Sequence, residues 1–212
     1  MIDGKDCIKR RQVMKKGIIY IHGKGGSAGE AEHYAPLFPG CDVVGLDYRA
    51  SAPWEAYDEF RSFYDGFEKG RENVRIIANS IGAYFAMNSL YDKKIEEAFF
   101  ISPIVDMEGL ILNMMAAENV TEKELTEKKI IKTSSGEELS PDYLCYVRFH
   151  PVIWRIPTHI LYGSADFLQS AETVGSFAKA TGADLTVMEG GEHWFHTEEQ
   201  MRFLDRWIKD RT

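Results

Sequence analysis

Over its first hundred residues the chain alternates short apolar runs with helical patterns, and that rhythm narrows the fold more than any other feature. Gly17 to Ile21 (GIIYI), Cys41 to Leu46 (CDVVGL), Val74 to Ser80 and Glu97 to Ser102 (EAFFIS) are compact apolar runs, the pattern of buried strands. Helical segments separate them. Ala28 to Ala35 is cut off by Pro36 and Pro39, and the helix after the third run extends to Tyr91. In Pro53 to Gly70, Trp54, Tyr57, Phe60, Tyr64 and Phe67 recur at steps of three or four, a stripe that reads as core packing. Parallel strands need crossover connections, so this alternation predicts a mostly parallel sheet with helices on both faces, a three-layer α/β/α class.

From Ile104 to about Arg155 the rhythm breaks. Met107, Leu110, Ile111, Met114 and Met115 share one helical face, Thr121 to Lys129 reads as a solvated helix, and Ile130 to Leu139 carries the turn Ser134-Ser135-Gly136, a hairpin or loop. No strand is added to the sheet, so residues 104–155 are expected to form a cap or lid within a single domain spanning 1–212, the alternative being a static cover for a sheet edge. The alternation then resumes with Thr158 to Tyr162, a helix from Ala171 to Thr181 stopped by Gly182, and Asp184 to Met188. Thr197 and Gln200 form a capping-box signature for a final helix whose inner face holds Met201, Leu204, Trp207 and Ile208.

A chain of 212 residues can bury on the order of 70% of its unfolded surface, enough for a full core without staples. Its net charge of -8 excludes a general nucleic-acid binder, which needs a basic face. Cys7, Cys41 and Cys145 are odd in number and in no C-x-x-C pair, which suits packing residues in a reducing compartment without structural zinc. The opening MIDGKDCIKRRQ has no apolar targeting segment, and no later run approaches the roughly 20 apolar residues of a membrane span. A soluble, cytoplasmic protein is expected.

Between Val74 and Met87 (VRIIANSIGAYFAM) strand meets helix with no spacer, so the turn at Ser80 must be very tight. The small residues it needs stand two positions either side, Ala78 and Gly82, giving A-x-S-x-G in place of the nucleophile elbow G-x-S-x-G. Ligands of open α/β sheets bind beyond the carboxyl ends of the strands. There the chain places the loop His22 to Ser27, Ser80, Asp166 and His193. A serine hydroxyl is a weak nucleophile without a base, an imidazole is poised near neutral pH to take its proton, and a carboxylate on the other ring nitrogen fixes tautomer and orientation. Ser80, His193 and Asp166 are the candidates for those three tasks.

On these motifs the sequence resembles the α/β-hydrolase family, from about Gly17 to Arg211. His22-Gly23-Lys24-Gly25-Gly26 matches the family's oxyanion loop, Ala78 to Gly82 its elbow, Gly163 to Asp166 its acid turn and Gly191-Glu192-His193 its histidine loop. The resemblance implies a small serine esterase-like member with a helical cap, a reduced sheet of about six strands, an acyl-enzyme on Ser80, and oxyanion donors at the backbone N–H groups of Lys24 and Ile81. It implies no metal or organic cofactor, and it assigns no role to the Lys24 side chain, which is expected in solvent. His22, Met107, Leu110 and Met114 are candidates to line a pocket for a small acyl substrate with an apolar group. Neither a nucleic acid nor a membrane is expected as a partner.

Other readings compete. Gly23 to Ala28 also fits G-x-G-x-x-A after a strand, with Asp47 ending the next one, the fingerprint of a nicotinamide or flavin oxidoreductase. Pro36 shortens the helix that fingerprint needs, and the reading leaves Ser80, Asp166 and His193 unexplained. His193-x-x-His196 beside Glu192 lacks a third metal ligand, and His196 reads as a structural or rim residue. Asp106 is a second candidate for the triad acid, while His33, His150 and His159 have no partner visible in the sequence. A non-catalytic binding protein on the same fold is the remaining alternative.

Overall fold

The structure, a computed structural model, describes residues 15–212, so Cys7 and the polar lead-in lie outside the described residues. β1 (Lys15–Ile21) leads through a single helical turn, α1 (Ala31–Tyr34), to β2 (Cys41–Gly45); α2 (Pro53–Phe67), β3 (Arg71–Asn79), α3 (Ile81–Leu90) and β4 (Ala98–Ile101) follow. The excursion comes next, with α4 (Met107–Ala117), α5 (Glu122–Lys128), the hairpin β5 (Ile131–Lys132) and β6 (Glu138–Leu139), and α6 (Pro141–Phe149). β7 (Thr158–Gly163), α7 (Ala171–Thr181), β8 (Asp184–Met188) and α8 (Glu198–Lys209) complete the chain.

Six strands form one sheet in the order β2-β1-β3-β4-β7-β8, and every pairing is parallel. Successive side chains of a strand point to opposite faces, so an unbroken apolar run feeds two cores. Ile19, Ile21, Ile76 and Ala78 pack with α2, α3, α7 and the excursion, whereas Ile18, Tyr20 and Ile77 pack with α1 and α8. Because every pairing is parallel, the carboxyl ends of β1, β3 and β7 lie along one edge of the sheet, and the chain reverses its winding between β1 and β3.

The excursion shares the body's core through Leu125, Leu139, Leu144 and Trp154, and its hairpin stays outside the main sheet. Three sequence expectations change. The helix expected over 28–35 is one α turn between two 3-10 turns, because Pro36 is tolerated only at the start of a new turn. Trp54 leaves the aromatic stripe of α2: it is half exposed and meets Tyr143 and Tyr146 of α6 edge-on or tilted at 5.6 and 5.3 Å. Cys145 is exposed, so it is no packing residue. Among the described residues, no helix is long and apolar enough to cross a membrane.

Candidate active site

Ser80 is the hinge between β3 and α3, with φ 53° and ψ −123°. A β-carbon resists that conformation, and three backbone bonds hold it: the Ser80 N–H donates to Ile101 O at 3.0 Å, and its carbonyl accepts from Ala83 and Ile104 at 3.1 and 3.2 Å. Two residues on, α3 passes so close to β1 that a β-carbon at Gly82 would stand 2.3 Å from the His22 carbonyl oxygen. Only glycine fits there. Although Ser80 occupies the N-cap position, its side chain makes no capping bond, so the hydroxyl is free for another partner.

That partner is His193. Its Nε2 lies 2.8 Å from Ser80 Oγ, and its Nδ1 lies 2.7 Å from Asp166 Oδ2. A carboxylate can only accept, so Nδ1 carries the hydrogen and Nε2 is left to accept from the serine hydroxyl. The side chains of His193 and Asp166 are 2% and 1% exposed, which keeps water from competing for this contact. Asp166 Oδ1 is engaged as well, accepting from the Leu168 N–H at 2.8 Å and the Gln169 N–H at 3.4 Å.

The acid turn and the histidine loop are stitched together. Ser164 N–H donates to Met188 O at 3.0 Å, Ala165 N–H to Gly191 O at 2.9 Å and Gly190 N–H to Ser164 Oγ at 2.8 Å. A β-carbon on Gly163 would lie 2.2 Å from Gly191 O, so the close approach of the two loops requires glycine at that strand end. Phe195, buried in the core shared by α8, pins the histidine loop from the other side.

The loop after β1 lies against the same corner. A β-carbon at Gly23 would touch Ser80 Cβ at 3.1 Å. Ile81 is the first residue of α3, so its N–H has no intrahelical acceptor, and the end of the helix dipole there favours negative charge. His22 is packed under the loop, stacked on Tyr48 with centroids 4.2 Å apart, while the Tyr48 hydroxyl donates to His22 O at 2.8 Å. The Lys24 side chain is exposed, as expected, and also pairs with Glu137 in the β5–β6 turn, so the excursion reaches the glycine-rich loop.

Several expectations from the sequence are corrected. Met107 is buried in the main core, where it packs the excursion onto the body and is not available to line a pocket; Leu110 and Met114 stay half-buried against the same core. Asp106 is not placed to serve as the acid, because its side chain caps α4 by accepting from the Gly109 N–H at 2.8 Å. The Gly23 to Ala28 loop is followed by only four α-helical residues, which gives a pyrophosphate no helix N-terminus to sit on, and Asp47 is exposed. His33 meets Asp205 at 2.8 Å, His150 stacks on Tyr146, and His159 lies within 3.4 Å of Glu97 and 3.3 Å of Asp184. His196 is exposed beside Glu192, and among the described residues no group of three or more metal-ligating side chains gathers. An open groove of about 420 Å³ beside α6 is lined by Trp54, Asp142, Cys145, Tyr146, Phe149 and His150, none of which belongs to the Ser80 corner. Gln169, buried three residues past Asp166, has no signal in the sequence that marks it.

The sequence matches no family model. Among curated proteins it is 34% identical over 76 residues to "Putative esterase/lipase 3" of Mycoplasma genitalium, a match that covers 34% of this chain and 27% of that protein. The chain therefore spans about a quarter of the length of that curated relative. Among solved structures it is similar to Est1E from Butyrivibrio proteoclasticus (TM-score 0.73, 14% identity, 96% of this chain and 89% of that one). It is also similar to alpha/beta hydrolase domain-containing protein 10 from mouse (TM-score 0.69, 18% identity, 92% and 88%).

Proposed function

Proceeding from the α/β-hydrolase fold that this chain shares with those solved structures, we propose that it is a serine hydrolase cleaving a carboxylic ester or related acyl substrate. The observation that carries the reading is the continuous hydrogen-bonded chain from Ser80 through His193 to Asp166. Ser80 Oγ attacks the acyl carbon while its proton passes to His193 Nε2, and the tetrahedral oxyanion is held by the backbone N–H groups of Lys24 and Ile81. Collapse breaks the bond to the alcohol, which leaves with the proton from Nε2, and the acyl group stays on Ser80. Water then repeats the sequence: His193 takes its proton, the oxygen attacks the acyl carbon, and the acid is released as Ser80 is reprotonated. Asp166 keeps the imidazole in the productive tautomer and stabilises its charged form. Each step uses only these groups, so the reading calls for neither metal nor organic cofactor.

Residues 104–155 act in this reading as a cap, an assignment supported by the pairing of Glu137 with Lys24. Est1E binds ferulic acid, a carboxylic acid and thus the kind of product an ester hydrolase releases. For this chain the substrate is a small acyl compound with an apolar group, and the free thiols of Cys41 and Cys145 fit a cytoplasmic setting. Hydrolysis of short- and long-chain p-nitrophenyl esters by the wild type and by Ser80→Ala tests the reading. Turnover should fall by about three orders of magnitude or more in the variant. Undiminished turnover would refute it, and a wild type inert on every ester would redirect it to thioesters or amides, which the same fold also serves.

A further inference from the structure

Gln169, three residues past Asp166 and 5% exposed, spends the whole hydrogen-bonding capacity of its carboxamide on two loops. Its Oε1 accepts from the Val105 and Asp106 N–H groups at 3.1 and 2.9 Å, where the excursion leaves β4. Its Nε2 donates to Asp106 O at 3.2 Å and to Leu168 O at 3.1 Å. A flipped amide would set its NH2 against two backbone N–H groups, so the orientation is fixed. The main chain of the same residue faces the other way: its N–H donates to Asp166 Oδ1 at 3.4 Å, and its carbonyl accepts from the Tyr162 hydroxyl of β7 at 2.8 Å.

One buried residue thus touches the carboxylate, the strand that carries it and the root of the excursion. We propose that Gln169 is a positioning residue that ties the placement of Asp166 to the seating of residues 105–106, so that the excursion and the Asp166–His193 contact hold or loosen together. This rests on reading Asp166 as the carboxylate that orients His193. Its consequence is that a lifted excursion costs the imidazole its orienting partner, and hydrolysis is confined to the seated state. Neither glutamate nor methionine replaces it. Glutamate keeps the two acceptor contacts but offers Asp106 O and Leu168 O no hydrogen and brings a buried charge; methionine fills the volume and satisfies none of the four groups.

Gln169→Glu and Gln169→Met test the proposal in the full chain. Both should lower kcat on a short-chain p-nitrophenyl ester by about 10- to 100-fold, with KM changed by no more than about twofold. The downfield proton resonance of the His193 Nδ1–H should broaden or vanish, a signature that loss of packing elsewhere would leave in place. Wild-type kcat with an intact resonance in the folded variants would overturn the proposal. Should neither variant fold, amide hydrogen exchange in Asp166→Ala decides it. Exchange at Val105 and Asp106 should speed by about tenfold or more, because Gln169 has lost its hold on the turn, and unchanged rates there would overturn the coupling. Failure of the serine-hydrolase reading is seen separately, as a wild type that turns over no acyl substrate.

Discussion

Ser80 keeps a backbone conformation worth about 1–3 kcal/mol of strain because its neighbours leave it no other. The strain is local, and so are its remedies: a glycine at 82 under the His22 carbonyl, two backbone bonds to β4 and its loop, and one from Ala83 of α3. Gly82→Ala should therefore destabilise the chain by about 1–3 kcal/mol in urea unfolding, since a β-carbon 2.3 Å from an oxygen forces β1 and α3 apart. Asp166→Asn keeps the side-chain volume and an oxygen for the Leu168 and Gln169 N–H groups, yet it no longer obliges His193 Nδ1 to carry the hydrogen. Ester kinetics should show kcat down about 10⁴-fold with the unfolding midpoint nearly unchanged; a full-rate variant would mean that the carboxylate orients nothing. That Ser80, Asp166 and His193 come together was legible because each follows a strand end in the expected order. Gln169 and the Lys24–Glu137 pair were not, since their partners lie 63 and 113 residues away and no local pattern announces them.

Secondary elements were legible in proportion to how strongly one signal dominated. GIIYI and EAFFIS are short, dense and apolar, and both fold as inner strands. α6 went unread although Ser140 caps it, Pro141 starts it and Leu144 and Val147 share its buried side. Its Tyr143, Tyr146 and Arg148 face other partners and blur the period, and it lies in a stretch whose hairpin suggested a loop. Met107 is lost from the pocket face expected on α4 for a related reason: an apolar stripe marks what a helix buries, and α4 buries Met107, Ile111 and Met115 against the body, with Leu110 and Met114 half-buried beside them. The excursion is fastened by such anchors. Leu144→Ala should cost about 2–5 kcal/mol and open residues 104–155 to limited proteolysis before the sheet is cut. Cleavage no faster than in the wild type would show that α6 is not what holds the excursion down.

At the scale of the whole molecule, the parallel order β2-β1-β3-β4-β7-β8 brings residues far apart in the chain to one edge. The far end of the sheet is tied by charge: Arg211, just past α8, donates to Asp184 at the start of β8 at 2.8 and 3.1 Å and holds its carboxyl below the ordinary carboxylate range. A depressed folded-state value means that the contribution is present above the unfolded value of about 4 and is lost as pH falls through the lower folded one. Asp184 is half exposed, so solvent screening leaves it worth less than about 1 kcal/mol. Asp184→Asn should lower the unfolding temperature slightly at pH 7, with the gap to wild type closing toward pH 2. A gap of constant size would assign the loss to packing.

The claim on which the rest depends is that folding has made one hydroxyl in this chain a nucleophile by placing it 2.8 Å from His193 Nε2. Intact-mass and peptide mass spectrometry after treatment with a fluorophosphonate reads that directly. The account predicts a single adduct, located on Ser80 and absent from both Ser80→Ala and His193→Ala. An unlabelled wild type, an adduct on another residue, or labelling of Ser80 that proceeds as fast without His193 would contradict it.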